Sequence, residues 1–133
     1  MRILVTGATG LVGRAFVGEM VERDHEIVVT SRDPRRALSQ LPLIYRHVGW
    51  DPNEGPAPRE AFAGVDAIVH LAGESVAGRW TDEKKRAIRD SRAVGTQHLI
   101  DGMRPLDDRP AVLVSASAVG YYGDGGDEVL TEE

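Results

Sequence analysis

Three glycines stand at regular spacing near the start of the chain, in the segment TGATGLVG that spans Thr6–Gly13. They follow a short run of branched apolar residues and precede a stretch with helical periodicity. In such a unit, Gly7 permits a tight turn, Gly10 lets backbone N–H groups approach a pyrophosphate, and Gly13 lets the helix pack closely on the strand. The spacing therefore predicts a dinucleotide site, with a purely structural turn as the alternative.

Alternating strands and helices are expected to position this turn. Five apolar runs predict strands over Arg2–Thr6, Glu26–Thr30, Leu43–Val48, Asp66–Leu71 and Ala111–Ser115. None alternates between polar and apolar residues, which is typical of parallel strands covered on both faces. Helices are predicted over Leu11–Arg23, Pro34–Gln40 and Thr81–Met103, and a surface loop over Asp51–Pro58. Right-handed crossovers then predict an α/β doubly wound parallel sheet in the order 3-2-1-4-5.

Composition excludes several classes of protein. The chain has 133 residues, a net charge of −5 and no cysteine, so we expect one domain without disulfides or a cysteine nucleophile. Its basic residues are scattered, which argues against nucleic acid as a partner. The four histidines form no His-x-x-x-His pair, so no metal site is predicted. No apolar run approaches the roughly 20 residues of a membrane span, and the N-terminal segment does not fit a signal peptide. We therefore expect a cytoplasmic protein.

The glycine spacing, with a threonine before it, resembles that of the extended short-chain dehydrogenase/reductases and their sugar-nucleotide epimerase relatives. Three further segments agree: His70-Leu71-Ala72-Gly73, Gly95-Thr96, and Ser115–Val119 with Tyr122-Gly123. The strings GESVAGRWTDEKK and SASAVGYYGDGGDEVLTEE resemble an NADP-leaning branch known only as epimerase family proteins. The resemblance spans the whole chain and implies a Rossmann sheet that binds a nicotinamide cofactor.

The resemblance implies cofactor contacts at three turns. The predicted cofactor-binding residues are Gly7, Thr9, Gly10, Leu11, Val12 and Gly13 in the first turn, Ser31 and Arg32 after the second strand, and Leu71, Ala72 and Gly73 after the fourth. Alignment with the family puts Ser31 where NAD-binding relatives carry an acid, and Arg32 follows as a partner for the 2′-phosphate of NADP. We therefore predict NADP. The alternative is a solvated Arg32 with Asp33 as the ribose-binding acid, although Asp33 before Pro34 is also typical of a helix cap.

Two more residues are candidates by position. Ser117, just after the fifth strand, would by resemblance hydrogen-bond a substrate carbonyl or hydroxyl, and it is the predicted catalytic residue. Its alternative role is a hydroxyl satisfied by local backbone. Asp51 stands where relatives bind the adenine amino group, and a turn-forming aspartate explains it equally well. Tyr121 and Tyr122 either line the nicotinamide or substrate pocket or pack against the end of the sheet.

The family's Tyr-x-x-x-Lys pair is missing, because Tyr121 and Tyr122 are followed four positions later by Gly125 and Gly126. We interpret the chain, residues 1–133, as the NADP-binding N-terminal part of a longer oxidoreductase or epimerase that acts on a carbonyl or hydroxyl of a small-molecule substrate. By itself it is expected to be inactive. The alternative is a non-catalytic NADP(H)-binding sensor or scaffold protein. An uncovered edge of the fifth strand predicts self-association into homo-oligomers.

Overall fold

The computed structural model describes residues 1–118 together with residues 126, 127, 129 and 131. The elements are β1 (Arg2–Thr6), α1 (Leu11–Glu22), β2 (Glu26–Ser31), α2 (Pro34–Gln40), β3 (Arg46–Gly49), a 3₁₀ turn (Arg59–Phe62), β4 (Ala67–His70), α3 (Asp82–Met103) and β5 (Val112–Ser115). The five strands pair in parallel in the order β3-β2-β1-β4-β5. The predicted doubly wound α/β architecture and its strand order are confirmed. None of the described helices is long and apolar enough to cross a membrane.

The central strands serve two hydrophobic cores, one on each face of the sheet. Leu4 of β1 and Val28 of β2 are paired in register and pack in one core with Leu99 of α3. Their neighbours along both strands turn to the opposite face, where Val17 of α1 covers them. Because successive side chains of a strand point to opposite faces, burial on both sides requires an unbroken apolar run. The two cores thus explain why β1 and β2 lack polar alternation.

Side-chain caps determine where α2 and α3 begin. The carboxylate Oδ1 of Asp33 accepts a hydrogen bond of 3.0 Å from the backbone N–H of Arg36, and Pro34 occupies the first helical position. The hydroxyl of Thr81 likewise accepts from the backbone N–H of Lys84 at 3.1 Å. Such caps satisfy N–H groups that have no partner inside the helix. The prediction that Asp33 caps a helix starting at Pro34 is confirmed.

Two predictions about the outer strands are wrong. β3 begins at Arg46 rather than Leu43, because Leu43 lies in a turn with 82% of its surface exposed. Hydrogen bonding to β2 starts only where the N–H of Tyr45 donates to the carbonyl of Ile27. β5 is exposed at all four residues instead of covered, because neither hydrophobic core of the described residues extends over this strand. It is also an edge strand whose only described strand neighbour is β4. The fifth strand therefore has the apolar composition of a buried strand without its burial.

Candidate functional site

A cavity of about 520 Å³ opens at the carboxyl ends of β1, β2 and β4. Its volume lies within the range of pockets that hold small molecules and cofactors. Eight of the predicted cofactor-binding residues line it: Gly7, Thr9, Gly10, Ser31, Arg32, Leu71, Ala72 and Gly73. The other four, Leu11, Val12, Gly13 and Asp51, do not. The structure thus brings three turns, far apart in sequence, to one cavity at the edge of the sheet where doubly wound folds bind their ligands.

The first turn fits tightly against the turn that follows β4. Gly7 has φ of +69°, a region that side chains disfavour. A β-carbon on Gly7 would lie 2.6 Å from the carbonyl carbon of Leu71 and 2.7 Å from the nitrogen of Ala72. A β-carbon on Gly13 would overlap the carbonyl oxygen of Gly7, so α1 also packs directly on the turn. Gly7 and Gly13 are therefore required by the protein's own packing.

Gly10 differs from these two glycines. Its φ of −72° is open to any residue, and a β-carbon there would have only the carbonyl oxygen of Gly7 within 4 Å, at 3.2 Å. Gly10 is the N-cap of α1, where no side-chain cap is formed within the described chain and the first helical turn contains no acidic residue. The first N–H groups of a helix lack internal partners and favour an anion. Leu11 and Val12, whose side chains are exposed, belong to this helix start without lining the cavity.

A buried histidine joins the two turns. Oγ1 of Thr6 lies 2.7 Å from Nδ1 of His70 and accepts a hydrogen bond of 3.1 Å from the backbone N–H of Ala72. On its other side, Nε2 of His70 lies 3.1 Å from Oγ1 of Thr96 in α3. Burial lowers the pKa of His70, so the ring is neutral at pH 7, with one nitrogen donating and the other accepting. This chain of contacts holds Ala72 against the glycine turn.

Three arginines line the cavity: Arg14, Arg32 and Arg36. Sequence analysis named only Arg32. Among the described residues, two carboxylates also line it, those of Asp33 and Glu74, and each has a partner within the protein. Asp33 caps α2, while Glu74 forms an ion pair of 2.5 Å with Lys84, which lowers the pKa of Glu74. The arginines therefore make this part of the cavity attractive to an anion.

Two predicted contact residues have local partners. The hydroxyl of Ser31 accepts from the backbone N–H of Asp33 at 3.1 Å. Oδ1 of Asp51 accepts from the backbone N–H of Asn53 at 2.9 Å, which is the turn-forming contact weighed as its alternative role. Asn53 itself lines the cavity, whereas Asp51 does not. A contact between Asp51 and adenine stays a prediction.

A second cavity of about 130 Å³ lies between α3 and the ends of β4 and β5. Its polar lining comes from His70, Arg92, Thr96 and Ser115. Ser117 is exposed and lies two residues beyond β5, outside this lining. Its proposed contact with substrate stays a prediction. Tyr121 and Tyr122 lie outside the described residues.

Comparisons with known proteins agree with this geometry. The model of the NAD dependent epimerase/dehydratase family matches residues 3–133. The epimerase family protein YfhF of Bacillus subtilis is 34% identical over 133 residues, which are the whole of this chain and 43% of YfhF. The crystal structure of human epimerase family protein SDR39U1 with NADPH superposes with a TM-score of 0.72 and 29% identity, over 92% of this chain and 38% of that one.

A more distant structure shares the fold. UDP-glucuronic acid 4-epimerase from Bacillus cereus, in complex with UDP-glucuronic acid and NAD, superposes with a TM-score of 0.77 at 19% identity, over 99% of this chain and 44% of that one. The chain thus spans about two fifths of the length of the relatives it matches. The predicted resemblance to the epimerase family proteins is confirmed, as is the expectation that the chain corresponds to the N-terminal part of its relatives.

Proposed function

The chain belongs to the NAD dependent epimerase/dehydratase family, and we propose that it is the nucleotide-binding part of an NADP-dependent oxidoreductase or epimerase. The substrate would be a small molecule with a carbonyl or hydroxyl group. One observation carries the proposal: Gly10 lines a large cavity at the uncapped start of α1, and little of the protein's own packing requires a glycine there. A ligand bound against the glycine turn explains both why the start of α1 has no side-chain cap and why a glycine stands at position 10.

The preference for NADP rests on the end of β2. NAD-binding folds use a carboxylate there for the ribose 2′-hydroxyl. The only carboxylate in this segment, Asp33, is committed to the cap of α2, and Arg32 lines the cavity beside it. A guanidinium group suits a phosphate because it is planar, always charged and offers paired donors. The human relative whose structure contains NADPH supports the same choice.

The residues of this chain would bind and orient the cofactor. When bound, the nicotinamide would supply hydride transfer at its C4 atom. The N–H groups at the start of α1 would hold the pyrophosphate, and Arg32 the 2′-phosphate. The neutral His70 would keep Ala72 and the turn after β4 in place beneath the cofactor. Ser117 would hydrogen-bond the reacting carbonyl or hydroxyl of the substrate.

The remaining proposals concern partners and location. The net charge of −5 and the scattered basic residues support a small-molecule substrate, rather than nucleic acid or a membrane, as the partner. A cytoplasmic location is proposed from the cysteine-free composition, which is typical of a reducing compartment. Self-association into homo-oligomers is proposed from the exposed apolar edge strand β5.

Calorimetric titration of NADPH and NADH tests the proposal. The wild-type chain is expected to bind NADPH more tightly than NADH. Replacing Arg32 by alanine removes a charge-assisted contact worth about 1.5–3 kcal/mol, so Arg32→Ala should weaken NADPH by roughly ten- to a hundredfold and leave NADH nearly unchanged. Equal weakening of both cofactors would assign Arg32 to folding rather than to cofactor choice. Failure of the folded wild-type chain to bind either cofactor would refute the proposed function.

A further inference from the structure

The second cavity contains a charged side chain that the proposed function leaves unassigned. We propose that Arg92 of α3 is a specificity-determining residue that binds a carboxylate of the substrate, so that the reacting carbonyl or hydroxyl belongs to an organic acid. This inference rests on the proposed function, because it names the substrate class of the same site. It gives the protein a preference for anionic over neutral substrates of similar shape.

The second cavity adjoins the proposed cofactor cavity. The turn Leu71–Gly73 lines both cavities, whereas Arg92 lines only the second. Arg32, the predicted partner of the 2′-phosphate, follows β2, which lies on the other side of β1 from β4 and β5 in the sheet. A ligand group bound by Arg92 is therefore separate from the adenosine end of the cofactor and next to the ends of β4 and β5.

The guanidinium group of Arg92 is held in place by backbone. Its Nη1 donates to the carbonyl of Ile88 at 3.0 Å and to the carbonyl of Glu74 at 3.2 Å. A β-carbon on Gly73 would lie 3.3 Å from Cζ of Arg92 and 3.4 Å from both terminal nitrogens, so a flat face of the group lies against this glycine. A group that is already positioned loses less conformational freedom when a ligand binds.

The residue that helps to hold Arg92 is itself fixed on α3. The backbone N–H of Glu74 donates to Oγ of Ser91 at 2.8 Å. The carboxylate of Glu74 forms its ion pair with Lys84 and not with Arg92. Glu74 therefore positions the guanidinium group through its carbonyl, while its carboxylate has a different partner.

Two nitrogens of Arg92 remain for a ligand. Within the residues that the structure describes, Nε and Nη2 donate no hydrogen bond, and Arg92 forms no ion pair. These two nitrogens lie on one edge of the planar group, and such an edge presents parallel N–H bonds to the two oxygens of a carboxylate. The contacts of Nη1 thus leave the edge that suits bidentate binding of an acid.

The lining of the cavity favours a group with a single negative charge. His70, which is neutral at pH 7, Thr96 and Ser115 supply uncharged polar groups, so Arg92 is the only charged residue in the described lining. One guanidinium balances one carboxylate, whereas a phosphate monoester carries nearly two negative charges at pH 7. The charge of the cavity therefore favours a carboxylate over a phosphate.

The size of the cavity indicates a small group. Its volume of about 130 Å³ is below the roughly 300–1,000 Å³ of pockets that enclose a whole small molecule. The cavity therefore fits one end of a substrate, and a carboxylate beside the reacting carbon is such an end.

Nitrogen-15 NMR titration of the wild-type chain with NADP⁺ present tests this inference, because the oxidised cofactor cannot reduce a carbonyl probe. Pyruvate carries a carbonyl beside a carboxylate, and pyruvamide has a neutral amide in its place. Pyruvate should shift the Nε–H resonance of Arg92 until the site is saturated, and pyruvamide should not. Arg92→Ala should weaken pyruvate binding by roughly three- to tenfold, because an exposed charged contact is partly screened by solvent.

Two further variants separate the fork from the charge. Arg86→Ala is the matched control, because it removes the same charge from an exposed position of α3 that lines neither cavity. It should bind pyruvate like the wild type. Arg92→Lys keeps the charge without the planar fork, so it should recover only part of the lost affinity. NADP⁺ should bind equally to the wild type and to Arg92→Ala, which also shows that the variant is folded.

Several results would overturn the inference. They are equal binding of pyruvate and pyruvamide to the wild type, wild-type affinity for pyruvate in Arg92→Ala, and tighter Arg92-dependent binding of dihydroxyacetone phosphate than of pyruvate. A loss of NADP⁺ affinity in folded Arg92→Ala would assign the residue to the cofactor instead.

The same titrations distinguish this inference from the proposed function. If the wild-type chain binds NADP⁺ but not pyruvate, the proposed function stands and this inference fails. If it binds pyruvate through Arg92 but no cofactor, the proposed function fails and the carboxylate site stands. If the folded chain binds neither, both fail together.

Discussion

The hydroxyl oxygen of Thr6, at the end of β1, lies 2.7 Å from Nδ1 of His70, at the end of β4. Both residues are buried, with 1% and 3% of their surfaces exposed. The same oxygen accepts the N–H of Ala72, which lines the proposed cofactor cavity. The protonation state of the buried His70 is thereby connected, through Thr6, to the turn after β4 that borders the candidate site.

This connection predicts a pH dependence of stability. Burial lowers the pKa of His70 below its usual 6.5. Above pH 6.5 the ring is neutral in the folded and the unfolded chain, and its contribution to stability is fully present. As the pH falls below that value, the unfolded chain takes up a proton that the folded chain does not, so the free energy of unfolding decreases. The slope is at most about 1.4 kcal/mol per pH unit for one histidine. Burial also lowers the pKa of His47, which adds a decrease of the same sign.

Urea unfolding of the wild-type chain and of His70→Asn, from about pH 7.5 down to about pH 5.5, measures this slope. Asparagine keeps a polar group near Nδ1 but does not titrate. The variant should be less stable at neutral pH and should lose less stability on acidification. Parallel curves for the two proteins would show that His70 is not the group responsible.

A second prediction concerns Gly7, whose φ of +69° places a β-carbon against the backbone of Leu71. The left-handed conformation costs a side chain roughly 1–2 kcal/mol, and overlap with backbone atoms adds to this. Gly7→Ala should therefore lower the free energy of unfolding by at least about 2 kcal/mol. Gly18→Ala is the matched control, because a β-carbon at this position in α1 meets open space. The control should gain about 0.5–1 kcal/mol from better helix propensity. A Gly7→Ala variant as stable as the control would contradict the described turn.

Much of the fold could be predicted because local signals and burial agree. β1 and β2 are continuously apolar because two cores need them, and α2 begins at the Asp33-Pro34 pair that caps it. The start of β3 was missed because apolar Leu43 extends the run into a turn, and nothing local distinguishes an exposed leucine from a paired one.

The candidate site was predicted only where glycines and turns marked it. Arg14 and Arg36 were missed because an isolated arginine on a helix is usually solvated, and their place in the lining of one cavity depends on how α1 and α2 pack on the sheet. The position of Arg14 directly after Gly13, and that of Arg36 in the first turn of the helix that Asp33-Pro34 begins, are the signals that could have indicated them. Asp51 was an open choice, since a loop aspartate before proline fits a turn and a ligand contact equally well.

A third prediction concerns the edge strand β5. Val114 is 54% exposed, and no described strand pairs with the outer edge of β5. Unpaired N–H and C=O groups beside apolar side chains recruit further chains. The purified chain should therefore form dimers or larger species in light scattering, and Val114→Lys should reduce them. Leu43→Lys, which alters an exposed leucine in a turn, should not. A wild-type chain that stays monomeric at high concentration would contradict the prediction that the outer edge of β5 causes self-association.

The central claim is that a dinucleotide lies against the glycine turn, and binding of NADPH to Gly10→Val tests it most directly. The φ of Gly10 is open to any residue, and a β-carbon would meet the carbonyl oxygen of Gly7 at 3.2 Å, a tight contact that a shift of a few tenths of an ångström relieves. The fold is therefore expected to survive the change with a small local adjustment. The added side chain would occupy the space of the pyrophosphate. Calorimetry is expected to show NADPH binding to the wild-type chain and none to Gly10→Val, with the same far-ultraviolet circular dichroism for both. A natively folded Gly10→Val that binds NADPH with wild-type affinity would contradict the account.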